Sequence, residues 1–311
     1  MSKILITGVT GFAGTNLVRY FSARGMQLVG HTRDKATAEA QFAGTPGFIV
    51  IDGDISAARL NELGITDIIH LAGIAHDLSN LYKPEDYYRV NFQATAKLYD
   101  QFLQSAAGQF IFISSIKVAV DIAPSPVDET IEPAPVGDYG KSKYQAEQYI
   151  MSKAHADKRF YILRPCMIHG EGNKGNLNLL YQYAKRGLPF PFGSFHNQRS
   201  FLNIDNFSFI IDRIVNTSVA PGIYHLADDG YLSTTDLYRL LAATMGKRAL
   251  VINMPTVLIK IPVAVIGKTR MLNKLTESMM VSNTKIVKAI GGTLPVSIGS
   301  GIVKTIKSFH E

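Results

Sequence analysis

Cysteine and tryptophan are almost missing from this chain: its 311 residues include one cysteine, Cys166, and no tryptophan. One thiol excludes an intramolecular disulfide and makes a reducing, cytoplasmic location the expectation. Long apolar runs are absent too. The longest, Val257 to Gly267, is interrupted by Lys260 and Pro262 and is too short to span a bilayer. Met1-Ser2-Lys3 leads into the strand-like Ile4-Leu5-Ile6 without the anatomy of a secretory signal. The eight histidines show no metal-ligand spacing. Cys166 with His169 makes no zinc set, so no metal is expected. Acidic residues are the minority sign, 25 against 32 basic, leaving a net charge of +7. That balance favours anionic partners. No nucleic-acid module is legible, so the charge reads as that of a basic protein handling phosphorylated small ligands, with no nucleic acid.

What is present is alternation. β-branched runs stand at Lys3–Thr7, Leu28–His31, Phe48–Asp52, Asp67–Ala72, Gln109–Ser114 and Phe160–Arg164, separated by helical patterns. This is the signature of βαβ units around a parallel sheet. The strands are apolar almost throughout, as when helices cover both faces. The spacing predicts one long helix from about Pro84 to Ala107 and another from Tyr139 to about Ala156. After Arg164-Pro165, glycines and prolines punctuate the chain. Ser200–Ile204 and Ile223–Leu226 still read as strands. Ser233-Thr234-Thr235-Asp236 opens a helix with a capping-box-like spacing.

Gly8, Gly11 and Gly14 lie in Thr7-Gly8-Val9-Thr10-Gly11-Phe12-Ala13-Gly14, between the first strand and the first helix. A tight turn, close backbone approach to a pyrophosphate and helix–strand packing each require one glycine. The helix start at Phe12 and Ala13 offers free N–H groups and a partial positive charge. The second strand ends Gly30-His31-Thr32-Arg33, with no carboxylate before Asp34. An acid there would select NAD. Thr32 with Arg33, able to pair with a 2′-phosphate, points instead to NADP, with NAD possible. Asp54, followed by Ile55 after the third strand, is placed to accept from an adenine amino group. The fold expected is α/β: a Rossmann doubly wound parallel sheet with a smaller mixed α/β C-terminal substrate lobe. Residues 1–168 with about 200–228 form the dinucleotide-binding domain, and 169–199 with about 229–311 the lobe.

Tyr139 and Lys143, in Asp138-Tyr139-Gly140-Lys141-Ser142-Lys143, are four apart and share a helix face. A free tyrosine, with a pKa of about 10, is a poor base at neutral pH. A nearby ammonium is expected to lower it. The same lysine can bridge ribose hydroxyls. A serine at a neighbouring strand end, Ser114 or Ser115, can hydrogen-bond the reacting oxygen. Such a set serves hydride transfer to or from a carbinol carbon, with tyrosine as acid or base.

These motifs resemble the extended short-chain dehydrogenase/reductases that act on nucleotide sugars: the epimerases, dehydratases and ketoreductases. Further elements of the resemblance are His70-Leu71-Ala72-Gly73, Val90-Asn91, Phe112-Ile113-Ser114-Ser115-Ile116-Lys117-Val118 and Leu163-Arg164-Pro165. The resemblance implies that Ser115, Tyr139 and Lys143 are catalytic. It places Leu71, Ala72, Gly73, Asn91, Ser114 and Pro165 at the cofactor. For a UDP-sugar it implies contacts from Ser115, Lys117, Asn176, Leu177 and Arg199, with His76 and Arg270 as further candidates. It also implies a homodimer through the helices carrying Asn91 and Tyr139.

Dehydratases of this kind carry Asp-Glu directly after the catalytic threonine, where this chain has Ile116-Lys117; dehydration is rejected. A ketoreductase using NADPH on a UDP-4-keto-6-deoxy-hexosamine is preferred on Thr32-Arg33. An NAD-dependent UDP-sugar 4-epimerase is the alternative. The stretch after the serine runs Val118-Ala119-Val120-Asp121 in place of the family's Val-Tyr-Gly, which alters the pocket floor. A non-enzymatic NADP sensor is the competing class, argued against by the intact triad. Residues Pro255 to Lys274, apolar and basic without an acid, suit either a lid helix or a membrane-surface anchor.

Overall fold

The structure, a computed structural model, describes residues 2–75, 82–173, 176–265 and 269–309. Strands are β1 (Lys3–Thr7), β2 (Gln27–His31), β3 (Phe48–Ile51), β4 (Asp67–His70), β5 (Gln109–Ile113), β6 (Ala123–Val127), β7 (Arg159–Pro165), β8 (Met167–His169), β9 (Phe201–Asn203), β10 (Gly222–Leu226) and β11 (Met279–Val281). The first helices are α1 (Phe12–Ser22), α2 (Lys35–Gln41), α3 (Ala57–Glu62), α4 (Pro84–Tyr87), α5 (Ala94–Gln104) and α6 (Gly137–Ser152). They are followed by α7 (Asn176–Lys185), α8 (Ile204–Asn216), α9 (Thr234–Thr244), α10 (Thr256–Val265), α11 (Thr269–Thr276), α12 (Thr284–Ala289) and α13 (Ile298–Lys307).

Seven strands form one sheet in the order β10-β7-β5-β4-β1-β2-β3. Every neighbouring pair from β7 to β3 is parallel. From β1 the order runs outward to β2 and β3 on one side and to β4, β5 and β7 on the other. The switch point therefore lies between β1 and β4, where Thr7 registers with His70. In such sheets ligands bind beyond the carboxyl ends of the strands at that point. The central strands β4 and β5 are buried end to end because helices cover them. Leu5, Val29, Ile68, Phe110 and Ile162 join Tyr99 and Phe102 of α5 and Ala146 and Ile150 of α6 in one apolar core.

The predicted helix over 84–107 is three pieces. Between α4 and α5 the chain makes a π-helical turn, Tyr88–Gln93. Inside it the side chain of Asn91 bonds the strand-following loop and α6, and Thr95 Oγ1 donates 2.8 Å back to Asn91 O. Side-chain insertion and back-bonding of this kind widen a helix.

The chain divides into two compact units, one of Met1–Val120, Ile131–Pro165 and Ile210–His225, the other of Asp121–Thr130, Cys166–Phe209 and Leu226–Glu311. The return expected at about 200–228 is thus shorter, and the division falls inside α8. Ile204, at its start, lies against Gly170. Its later turns belong with the sheet: Asp212 accepts from Tyr20 Oη at 3.4 Å and Gln109 Nε2 donates to Ile214 O. The second unit has its own core, built from Leu177, Tyr181, Phe190, Phe201, Tyr238, Leu241 and Ile302. Ser233 caps α9 as read, accepting from Asp236 N at 2.9 Å.

Candidate active site

The glycine loop follows β1. Gly8 has φ +72, and a Cβ there would stand 2.9 Å from Ala72 N. At Gly14 a Cβ would stand 2.3 Å from Gly8 O. Only glycine lets the turn and α1 approach this closely. Gly11 is the N-cap of α1, brings no side-chain cap, and no acid occupies the first turn. The N–H groups that open α1 have no intrahelical acceptor. A pyrophosphate fits this cradle.

A buried relay holds the cradle to the loop after β4. Ala72 N donates to Thr7 Oγ1 at 3.2 Å, and Thr7 Oγ1 lies 2.7 Å from His70 Nδ1. His70 Nε2 lies 2.9 Å from Thr95 Oγ1, which itself donates to Asn91 O. Thr95 therefore accepts from Nε2–H, and Nδ1 accepts from Thr7. Burial, with Lys143 and His31 adding to it, pushes the His70 pKa down to about 3, so the ring is neutral. Asn91 extends the same support: its Oδ1 accepts from Ile74 N at 2.8 Å and its Nδ2 donates to Ile74 O and Ser142 Oγ.

Lys143 lies deep in unit one, 4% exposed. Its Nζ donates to Ile113 O at 3.0 Å and lies over the Phe112 ring. A Cβ on Gly73 would stand 3.0 Å from Nζ. An ammonium has three donors, two more than its bond to Ile113 O uses. Burial lowers the Lys143 pKa to about 8, against the opposing pull of Glu147.

Ser115 caps the single turn Ile116–Val118, its Oγ accepting from Lys117 N at 3.2 Å. It also hydrogen-bonds the Tyr139 hydroxyl. The expectation that an ammonium lowers the tyrosine pKa is not what the geometry gives. Burial raises it, the Ser115 hydrogen bond offsets this only in part, and Tyr87 adds to the rise. Lys143 makes its bond to the strand end, and the phenol is held protonated.

The hydroxyl of Ser114, expected at the cofactor, is engaged by α6. Its Oγ donates to Glu147 Oε1. Arg164 grips the same carboxylate, Nε at 3.1 Å from Oε1 and Nη2 at 2.6 Å from Oε2, with both side chains buried. Sequence reading missed Glu147 and the role of Arg164. The signal was available: Tyr139, Lys143 and Glu147 are spaced by four along one helix face.

The other candidates divide. Thr32 is buried and its Oγ1 accepts from Asp34 N at 3.2 Å. Asp34 caps α2 through Thr37, whose hydrogen bonds lower its pKa. Arg33 is exposed at the end of β2. Asp54 is exposed and pairs with Lys97 at 3.0 Å, while Ile55 packs on the core. In the second unit the Leu177 side chain belongs to the core. Arg199 donates to Glu277 O at 3.0 Å, and burial lowers its pKa. His76 lies outside the described residues, as do the side chains of Asn176 and Arg270. Among the described residues, no group of His, Cys, Asp and Glu could hold a metal.

The profile of the NAD dependent epimerase/dehydratase family matches residues 4–227. The chain belongs to this family. It is 31% identical to a UDP-glucose 4-epimerase of Vibrio cholerae, over 99% of this chain and 96% of that protein. It is 24% identical to an N-acetyl-alpha-D-glucosaminyl-diphospho-ditrans,octacis-undecaprenol 4-epimerase of Escherichia coli O157:H7, over 98% and 94%. Its fold matches the Bordetella bronchiseptica enzyme WbmG, solved with NAD and UDP, at a TM-score of 0.78 and 17% identity, covering 99% and 93%. The family member described here is an NAD(P)-dependent nucleotide-sugar enzyme. No helix among its described residues is long and apolar enough to cross a membrane.

Proposed function

We propose that this protein reduces the C4 carbonyl of a UDP-4-keto-hexosamine with NADPH. The observation that carries the reading is the end of β2. The end of β2 offers exposed Arg33 and buried Thr32, and the first acid after the strand, Asp34, is occupied as a helix cap. A 2′-phosphate suits that arrangement better than a free ribose hydroxyl.

Bound in the cradle, the nicotinamide would supply the hydride. The protein's own residues do the rest. Ser115 hydrogen-bonds both the Tyr139 hydroxyl and the substrate oxygen. Tyr139, held protonated by its surroundings, gives its proton to that oxygen as negative charge develops there. Lys143, anchored on Ile113 O, orients the ribose. Arg199 has fork donors to spare beyond its bond to Glu277 O and is the candidate for the diphosphate.

A second reading, UDP-sugar 4-epimerase, is favoured by the names of the relatives. It uses the same serine, tyrosine and lysine but keeps its cofactor between two opposite hydride transfers. Denaturing the purified protein and identifying the released dinucleotide separates the two. An empty site that then takes NADPH over NADH supports the reductase. NAD recovered near one per subunit supports the epimerase and removes Arg33 from the argument.

A further inference from the structure

Between Asp236 and Glu277 the chain holds seven lysines and arginines and no carboxylate. These seven equal the entire net charge of +7; the other 25 basic residues are matched by 25 acids. The same stretch turns five large apolar side chains to solvent: Leu250, Ile252, Val257, Leu258 and Ile261, exposed by 45–62%.

The local structure explains why they face outward. Val251 pairs with Phe190 and packs on the core of the second unit, so its strand-like neighbours Leu250 and Ile252 point the other way. On α10, Ile259 is buried, and Val257, Leu258 and Ile261 form the opposite face. Basic side chains border the patch. Phe190 N donates to Leu250 O at 2.7 Å, and Lys247 Nζ donates to Lys185 O. These bonds bring Lys185, Arg186 and the exposed Leu188 beside Lys247, Arg248 and Leu250. Among the described residues none of these four cations forms a salt bridge.

We propose that this face seats the protein on an anionic lipid bilayer. The aliphatic side chains enter the boundary between headgroups and acyl chains while lysines and arginines meet the phosphates. Two other occupants fit less well. A symmetric contact with a second copy would bring the two basic stretches together, which like charge disfavours. Nucleic acid would match the charge but leave the aliphatic side chains without a role, because bases stack on aromatic side chains. The proposal does not depend on which reaction the site performs.

The test is co-sedimentation of the full chain with vesicles of phosphatidylcholine mixed with phosphatidylglycerol, and with vesicles of phosphatidylcholine alone. The protein is expected to pellet with the former only and to be released by salt. Leu258→Asp with Ile261→Asp, both at exposed positions, should cut the pelleted fraction by about tenfold or more, with circular dichroism unchanged. Lys247→Glu with Arg248→Glu should remove the salt-sensitive part. Absence of pelleting on anionic vesicles would overturn the proposal, as would equal binding to phosphatidylcholine alone. Wild-type binding by the Leu258/Ile261 variant would do the same. A dimer in sedimentation velocity that this variant converts to monomer would assign the face to a second copy instead.

Discussion

Glu147 and Arg164 form a buried bidentate pair that also takes the Ser114 hydroxyl, and breaking it from one side should be among the costliest single changes in this protein. Glu147→Met keeps the volume and removes the charge, leaving the Arg164 guanidinium in the interior with no counter-ion. Stranding one member of a buried pair costs about 3–5 kcal/mol. Loss of the Ser114 acceptor adds about 1 kcal/mol. Against a total stability of about 5–15 kcal/mol that is a large share. Arg164→Met strands the carboxylate instead and should cost a similar amount. The double variant removes both charges and should recover most of the loss, so it should be less destabilised than either single variant and the coupling should exceed about 3 kcal/mol. Urea unfolding followed by far-ultraviolet circular dichroism and by tyrosine emission, unobscured by tryptophan, gives the four stabilities. Each single variant should move the midpoint down by about 1 M or more. Additive losses, or a single-variant loss below about 1 kcal/mol, would refute the reasoning, because the pair would then behave as two independent, solvated groups.

Further outcomes follow from the site. Tyr139→Phe should leave dinucleotide binding intact and cut turnover by about 10²–10⁴-fold; near wild-type turnover would remove the tyrosine from the mechanism. Arg33→Ala should weaken NADP binding by about tenfold or more and NAD far less, measured by titrating each cofactor; equal losses would mean that Arg33 does not read the 2′-phosphate. Activity, as kcat/KM against pH, should fall as pH rises through about 8, where Lys143 loses its proton. Because its folded pKa lies below the ordinary 10.5, its charged form is the disfavoured one in the fold, so its contribution to stability rises between pH about 8 and 10.5. Glu147 pulls this pKa up, so the alkaline limb of Glu147→Met should move to lower pH.

The sheet was legible because each strand is a short β-branched run bounded by a glycine or polar turn, and the six strands read before Pro165 lie within two residues of their predicted ends. The glycine cradle was legible for a steric reason: Gly8 and Gly14 stand where a Cβ would strike backbone. The break at Tyr88–Gln93 was not legible, because local propensity says nothing of an asparagine whose partners, Ile74 and Ser142, lie 17 and 51 residues away. The split of α8 between the units was hidden for the same reason: its apolar periodicity is unbroken, and only the partners of Ile204 and Asp212 divide it.

The Tyr139–Lys143 pair shows where sequence reasoning stops. The spacing of Tyr139 and Lys143 identifies a tyrosine and an ammonium on one helix face, and from that alone the lysine should lower the phenol pKa. The fold gives the lysine other work. Its ammonium is drawn to Ile113 O and faces the space over Gly73, Glu147 holds it charged against burial, and Tyr139 is left in a buried setting that raises its pKa more than the hydrogen bond with Ser115 lowers it. A protonated phenol is the form that gives a proton to a carbonyl oxygen, whereas an oxidation must first remove that proton. The proposed ketoreduction starts from that protonated form, whereas an epimerase must reach the phenolate before its first hydride leaves.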